Sequence, residues 1–337
     1  MFLRTLILLL LLLAVPAIAQ PAVLDAAAVP GLDAAGRASY RSWLDANLPR
    51  ALAIGTNGRV GWSSGDGSMQ AVQERALAAC QQQGGTDCAI YAENLAVVWP
   101  EHPSPPPPPP PGSLISTPSY DFTPDPRFIW WGPKLARGVV VWAHGRGPGA
   151  RGMQPPPDLR PFNNFGFDVV RFDRYAMSDY RDSAAGWLRS GLAALRRWGY
   201  RFVIVGGQSR GGWNALQMLQ QPGLADVVVA VSPASQGEGD SSDLLAQLDE
   251  LRSLIADIPP SHARLAFVQF SNDTYASDES ARERMIERLR PRVGALLSID
   301  RPEGFSGHFA GASLGFAERY GECLLHFAID PQPSDRC

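Results

Sequence analysis

The stretch Gly207-Gln208-Ser209-Arg210-Gly211 carries the clearest chemical content in the chain. The apolar run Phe202–Val205 precedes it, and Trp213, Leu216 and Leu219 follow at helical spacing. A G-x-S-x-G stretch between a strand and a helix is a nucleophile elbow. Its glycines are required because the turn is so tight that side chains there would clash. Ser209 would then sit strained at a helix N-terminus with its Oγ exposed. The bland reading is a glycine-rich turn with serine as a helix cap; the strand and helix flanks favour the elbow.

A serine nucleophile needs a base. The five histidines are His102, His144, His262, His308 and His326. An elbow serine is followed along the chain by an acid and then a histidine, which leaves His308 and His326. His326 lies in the apolar run Leu324-Leu325-His326-Phe327 and is expected to pack within a terminal helix. His308 lies in Gly304-Phe305-Ser306-Gly307-His308-Phe309-Ala310-Gly311, beyond an Ala295–Ile299 strand, and is the expected base. The orienting acid should follow the Leu265–Phe270 strand. Asp273 stands three residues beyond it; Asp278 is the main alternative and reads otherwise as first-turn charge on the next helix, and Glu303 is a more distant one. The acid would fix the imidazole tautomer and stabilise its cationic form.

An oxyanion needs hydrogen-bond donors. One expected donor is the backbone N–H of Arg210, directly after the nucleophile. The other is the N–H of Arg146, in the loop His144-Gly145-Arg146-Gly147-Pro148-Gly149 after the Val139–Ala143 strand. His144 is expected to bond within that loop. The side chains of Arg146 and Arg210 would suit an anionic substrate or simply be solvated.

These residues need a framework. Val139–Ala143, Asp168–Phe172, Phe202–Val205, Val227–Val231, Leu265–Phe270 and Ala295–Leu297 read as strands. Helical stripes fall between them, including Trp187, Leu188, Leu192, Leu195 and Trp198. Continuous apolar strands alternating with helices imply a mostly parallel, doubly wound sheet covered on both faces. Pro233 to Pro259 has room for one helix with Leu244, Leu245, Leu248 and Leu251 on a stripe, and no large lid is visible. The Gly/Pro-rich segment 147–157 would act as a flap, and the open site suits water-soluble or short-chain substrates.

Taken together, the HG loop, the elbow, and the acid and histidine at strand ends resemble the α/β-hydrolases, in particular the dienelactone-hydrolase and esterase branches. The resemblance covers roughly 220 residues. It implies an α/β-hydrolase fold with Ser209 as nucleophile, His308 as base and Asp273 as acid. The chain departs from the best-known dienelactone hydrolases in having serine where they have cysteine, which leaves lactone specificity open.

The N-terminal part has another rhythm. Arg4, the apolar run Leu6–Val15 and Ala17-Ile18-Ala19 read as a signal peptide, residues 1–19. Residues 20–100 form an expected small α+β accessory domain, with a helix over 68–82 and strands near Ala89–Tyr91 and Leu95–Trp99. Gly61-Trp62-Ser63, the Ala-rich helix and the Cys-x₇-Cys spacing resemble a small cysteine-paired domain of bacterial exported proteins. Residues 101–116 hold seven consecutive prolines, Pro105 to Pro111, a stiff linker of roughly 20 Å. The hydrolase-like domain then spans 117–337. Cys80, Cys88, Cys323 and Cys337 suggest two local disulfides, Cys80–Cys88 and Cys323–Cys337, in an oxidising compartment such as the periplasm or the exterior.

Composition narrows the classes. The 337-residue chain has a net charge of −3, no Lys/Arg run and a single lysine, Lys134, which disfavours a nucleic-acid partner. The cysteine and histidine spacing fits no metal site, and no P-loop or dinucleotide fingerprint occurs, so no cofactor is expected. Three readings follow: an exported serine hydrolase on a small ester, an amidase or peptidase with the same triad, or a non-catalytic binding protein on this fold. The N-terminal unit would suit a surface or polymer partner.

Overall fold

The computed structural model describes residues 20–147, 149–175, 181–235, 241–276 and 278–337. The expected signal peptide and its cleavage site lie outside the described residues. Among the described residues, no helix is long and apolar enough to cross a membrane.

The N-terminal part contains α1 (Ala34–Asp45), β1 (Arg50–Ile54), β2 (Val60–Ser64), α2 (Met69–Gln82), β3 (Ala89–Glu93) and β4 (Ala96–Val97). Its strands form an antiparallel sheet in the order β2-β1-β3-β4. Asp33 caps α1, its carboxylate accepting from Gly36 N at 2.7 Å, and Ser68 caps α2. The C-terminal end of α1 is closed by a buried arginine. Arg50 donates to the carbonyls of Trp43 (3.0 Å), Leu44 and Ala46 (2.9 Å), and its guanidinium lies 4.5 Å over the Trp43 ring. Burial lowers its pKa to about 10, which still leaves a cation facing the negative helix end. Cys80 and Cys88 are bridged with Cα atoms 6.2 Å apart, and Cys323 and Cys337 with Cα atoms 5.5 Å apart.

The larger part is built on eight strands: β5 (Ile115–Ser116), β6 (Tyr120–Pro124), β7 (Gly138–Ala143), β8 (Phe167–Arg174), β9 (Val203–Gln208), β10 (Val227–Val231), β11 (Arg264–Gln269) and β12 (Ala295–Asp300). Their order is β12-β11-β10-β9-β7-β8-β6-β5. The six strands from β12 to β8 run parallel, and β6 and β5 close the edge antiparallel. The strands read from the sequence are all present. β5 and β6 were not foreseen, and β5 places the start of the sheet inside the expected 101–116 linker.

Six helices cover this sheet: α3 (Arg160–Asn164), α4 (Arg181–Arg197), α5 (Arg210–Gln217), α6 (Ser241–Ala256), α7 (Glu279–Glu287) and α8 (Leu314–Ile329). Leu188 and Leu192 of α4, Trp213 of α5, Leu251 of α6 and Ile286 of α7 pack in one core. Phe162 of α3 and Phe316 and Leu324 of α8 pack in a second core, on the other face. The sheet is therefore covered on both sides, as its continuous apolar strands require. Lys134 is exposed in the turn that leads into β7.

The two sheets are not held apart. Ile129 and Trp131 pack into the same core as Trp43, Leu52 and Tyr91 of the N-terminal part. Asn164 of α3 donates to Leu44 O and to Asp45 Oδ1, each at 3.2 Å.

Candidate active site

The elbow forms where β9 meets α5. Ser209 has φ 58° and ψ −123°, a conformation that costs a non-glycine residue on the order of 1–3 kcal/mol. Its backbone is fixed on three sides. Ser209 N donates to Val231 O at 3.0 Å, and its carbonyl accepts from Trp213 N (2.9 Å) and Ala234 N (3.1 Å). The glycines are explained by close approach. A Cβ on Gly211 would overlap the carbonyl oxygen of Ala143, and one on Gly207 would overlap the Gly211 backbone.

Asp273 follows β11 and His308 follows β12. His308 Nδ1 lies 2.8 Å from Asp273 Oδ1 and 3.0 Å from Oδ2, with both residues buried. A carboxylate facing Nδ1 assigns the proton to that nitrogen and leaves Nε2 as the acceptor. Tyr275 N also donates to Asp273 Oδ1, at 2.9 Å. The two loops are joined by Gly307 N to Ser271 O (2.8 Å) and by Asn272 Nδ2 to Ser306 Oγ (3.0 Å). Two aromatic rings contact the imidazole. Tyr275 stacks on it at 4.2 Å, and Phe309 meets it edge-on at 5.0 Å.

The histidine loop is tied to the elbow. Gln208 Nε2, directly before Ser209, donates to His308 O at 3.0 Å. His308 Nε2 is buried with no hydrogen-bond partner among the described residues, so Ser209 is not hydrogen-bonded to it in this state. A buried acceptor nitrogen with no partner is unfavourable in a purely structural role.

The HG loop packs against the serine: a Cβ on Gly145 would lie 3.4 Å from Ser209 Cβ. His144 holds this loop, as expected. Its Nδ1 lies 2.5 Å from Gly145 O, and its Nε2 accepts from Arg174 N at 3.0 Å. Arg210 opens α5, where first-turn N–H groups lie outside the helix's own ladder. Arg146 is exposed and lines the pocket, whereas the Arg210 side chain is buried and does not.

The competing candidates are elsewhere employed. Asp278 caps α7, accepting from Ala281 N at 2.9 Å. The expected packing of His326 is not found. Its side chain is 61% exposed on α8, near Glu322 and Asp330. The apolar run around it covers two faces of the helix, and position 326 falls on the solvent side.

A pocket of about 350 Å³ lies next to the elbow; Gln208 and Phe309 line it, and the adjoining Ser209 and His308 do not. Trp142, Met153 and Phe309 supply apolar lining, and Asn47, Gln154 and Arg171 polar lining. Arg171 is neutralised, donating to Asp125 (2.7 Å) and Asp173 (3.1 Å). Burial alone would raise the Asp125 carboxyl, but Arg127 and Arg171 outweigh it and hold it below the ordinary carboxylate range. Arg146 has no ion pair among the described residues. Asn47 and Gln154 escaped sequence reasoning, because their relevance comes only from contacts more than a hundred residues apart.

The architecture is thus a mostly parallel doubly wound α/β sheet with a serine elbow at the end of a central strand. Among solved structures, the chain is similar to Est1E from Butyrivibrio proteoclasticus, at 13% identity and a TM-score of 0.47, covering 64% of this chain and 98% of that one. It is also similar to an esterase from Pyrococcus furiosus, at 19% identity and a TM-score of 0.42, covering 60% and 84%. Esterase 2 from Thermogutta terrifontis is similar at 14% identity and a TM-score of 0.42, covering 61% and 87%. No family model and no curated protein matches the sequence.

Proposed function

We propose that the protein is a serine hydrolase of the α/β-hydrolase type, acting on carboxylic esters. The observation that carries this reading is the buried Asp273–His308 pair, bonded at 2.8 Å with Nε2 unpartnered and tied through Gln208 to the strained Ser209. In unliganded sites the bond between nucleophile and base is often long and tightens with substrate.

In this mechanism Ser209 Oγ attacks the ester carbonyl carbon while His308 Nε2 takes its proton. Asp273 stabilises the resulting imidazolium. The carbonyl oxygen becomes an oxyanion, held by the Arg210 and Arg146 backbone N–H groups. Loss of one such donor costs about 2.7–4 kcal/mol of transition-state stabilisation. Collapse breaks the C–O bond, and His308 returns the proton to the departing alcohol. Water, deprotonated by the same nitrogen, then attacks the acyl-enzyme and releases the acid.

Residues 20–100 are read as an accessory unit and 117–337 as the hydrolase unit. The N-terminal apolar run and the two disulfides support export to the periplasm or the exterior.

Labelling with a fluorophosphonate probe, beside Ser209→Ala, tests the reading. Ser209-dependent labelling is the expected result. Well-folded wild-type protein that stays unlabelled would overturn it and favour a binding protein on this fold. Short-chain esters assayed beside a peptide panel separate an esterase from an amidase.

A further inference from the structure

The pocket next to the elbow is not made by the large sheet and its loops alone. Asn47, just after α1 of the N-terminal part, lines it together with Met153, Gln154 and Pro156. We infer that the N-terminal part is a specificity element of the hydrolase site, its Asn47-Leu48 segment clasping the 153–156 loop to form one wall of the substrate pocket. The inference rests on the serine-hydrolase reading and adds the source of its selectivity.

The clasp is made of polar bonds in a confined place. Asn47 Nδ2 donates to Pro155 O at 3.1 Å. In the orientation that suits most of its partners, the Gln154 amide donates to Leu48 O (2.9 Å) and accepts from Leu48 N (3.1 Å) and Arg160 Nη2 (3.2 Å), its oxygen lying between Asn47 Oδ1 (2.8 Å) and Nδ2 (3.2 Å). Arg160 donates from Nε to Asn47 Oδ1 at 3.2 Å and from Nη1 to Arg127 O at 2.6 Å. Its side chain is fully buried, with the guanidinium 3.8 Å over the Phe128 ring. A buried cation that spends its donors on both sides of the junction locks them in one geometry.

The loop is also held at its base by Gly152, whose N–H donates to Asp173 Oδ1 (3.0 Å) and whose carbonyl accepts from Arg127 Nη2 (3.1 Å), so the clasp fixes the stretch beyond it. It follows Gly147, Gly149 and Gly152, all at positive φ, and it carries Met153, 59% exposed at the pocket mouth. Anchored, Met153 and Pro156 present a fixed apolar surface in the pocket that Phe309 also lines. That surface suits the acyl chain of a medium-length ester. An acetyl group is too short to use it.

The test compares kcat/KM for p-nitrophenyl octanoate with that for p-nitrophenyl acetate in the full chain. Asn47→Leu keeps the branching of the side chain at Cγ, with bulkier ends, and removes the bonds to Pro155 and Arg160. It should lower the octanoate-to-acetate ratio at least fivefold. Asn47→Asp keeps the acceptor for Arg160 and loses the donor to Pro155, so the ratio should fall at least twofold; this variant carries the test if Asn47→Leu does not fold. Arg75→Ala removes a bond to Ser63 within the N-terminal part, away from the pocket, and should leave the ratio unchanged. A ratio unchanged in both Asn47 variants, or lowered equally by Arg75→Ala, overturns the inference. Fluorophosphonate labelling of the wild type keeps the two failures distinct, since its absence would sink the hydrolase reading itself.

Discussion

Two aspartates five residues apart compete for one role in the sequence, which favours the first, and their partners in the structure differ. Asp273 bonds the imidazole of His308, whereas Asp278 bonds the N–H of Ala281. Asp273→Asn should therefore reduce kcat for a short-chain ester about 10³–10⁴-fold, because the amide no longer selects the productive tautomer. Asp278→Asn should leave kcat within about twofold and cost at most about 1 kcal/mol of stability, since asparagine also caps helices well. Equal rate losses in the two variants would return the assignment to doubt. That Ser209, Asp273 and His308 would fall just beyond the ends of strands was legible from their spacing relative to the apolar runs. Tyr275, stacked on His308, was not, because stacking depends on how two loops fold against each other.

At the scale of elements, the elbow depends on how closely α5 approaches β7. That approach is set by hydrogen atoms at Gly207 and Gly211. Gly211→Ala would drive a methyl group into the Ala143 carbonyl, which is backbone and cannot rotate away. The variant should lose about 2–3 kcal/mol or more in urea unfolding and fall in activity out of proportion to any loss of folded protein. A stable, fully active Gly211→Ala protein would contradict this account of the turn. The central strands were readable because each is a continuous apolar run buried on both faces. β6 was missed for the opposite reason: Tyr120–Pro124 mixes polar and apolar residues in a strand next to the short edge strand β5. α1 was missed because its buried positions, Gly36, Tyr40, Trp43 and Leu44, sit among small and polar residues.

At the scale of the whole molecule, several carboxyls are buried near the junction of the two sheets. Burial raises the Asp158 pKa from 3.8 to about 7, and one of its oxygens has no partner among the described residues. Burial likewise raises Asp45 to about 7 and Asp168 to about 6. The sign follows from linkage. Below about pH 4 both folded and unfolded chains hold these protons. Between about 4 and 7 the unfolded chain releases them first, so stability falls as pH rises through that window. A tenfold difference in proton affinity between the two states corresponds to about 1.4 kcal/mol. Asp158→Asn should remove part of this slope, shrinking the stability difference between pH 5 and pH 8 by at least about 1 kcal/mol. An unchanged slope would mean that Asp158 is ionised in the folded protein. None of this was visible in the sequence, where Asp158 is one carboxyl among 33 acidic residues.

The lone lysine has a practical corollary. Lys134 leads into β7, and β7 runs parallel to β9, so it lies at the end of the sheet opposite Ser209. With the α-amino group blocked, a solid support that reacts with amines would capture the protein there and hold it with its pocket turned outward.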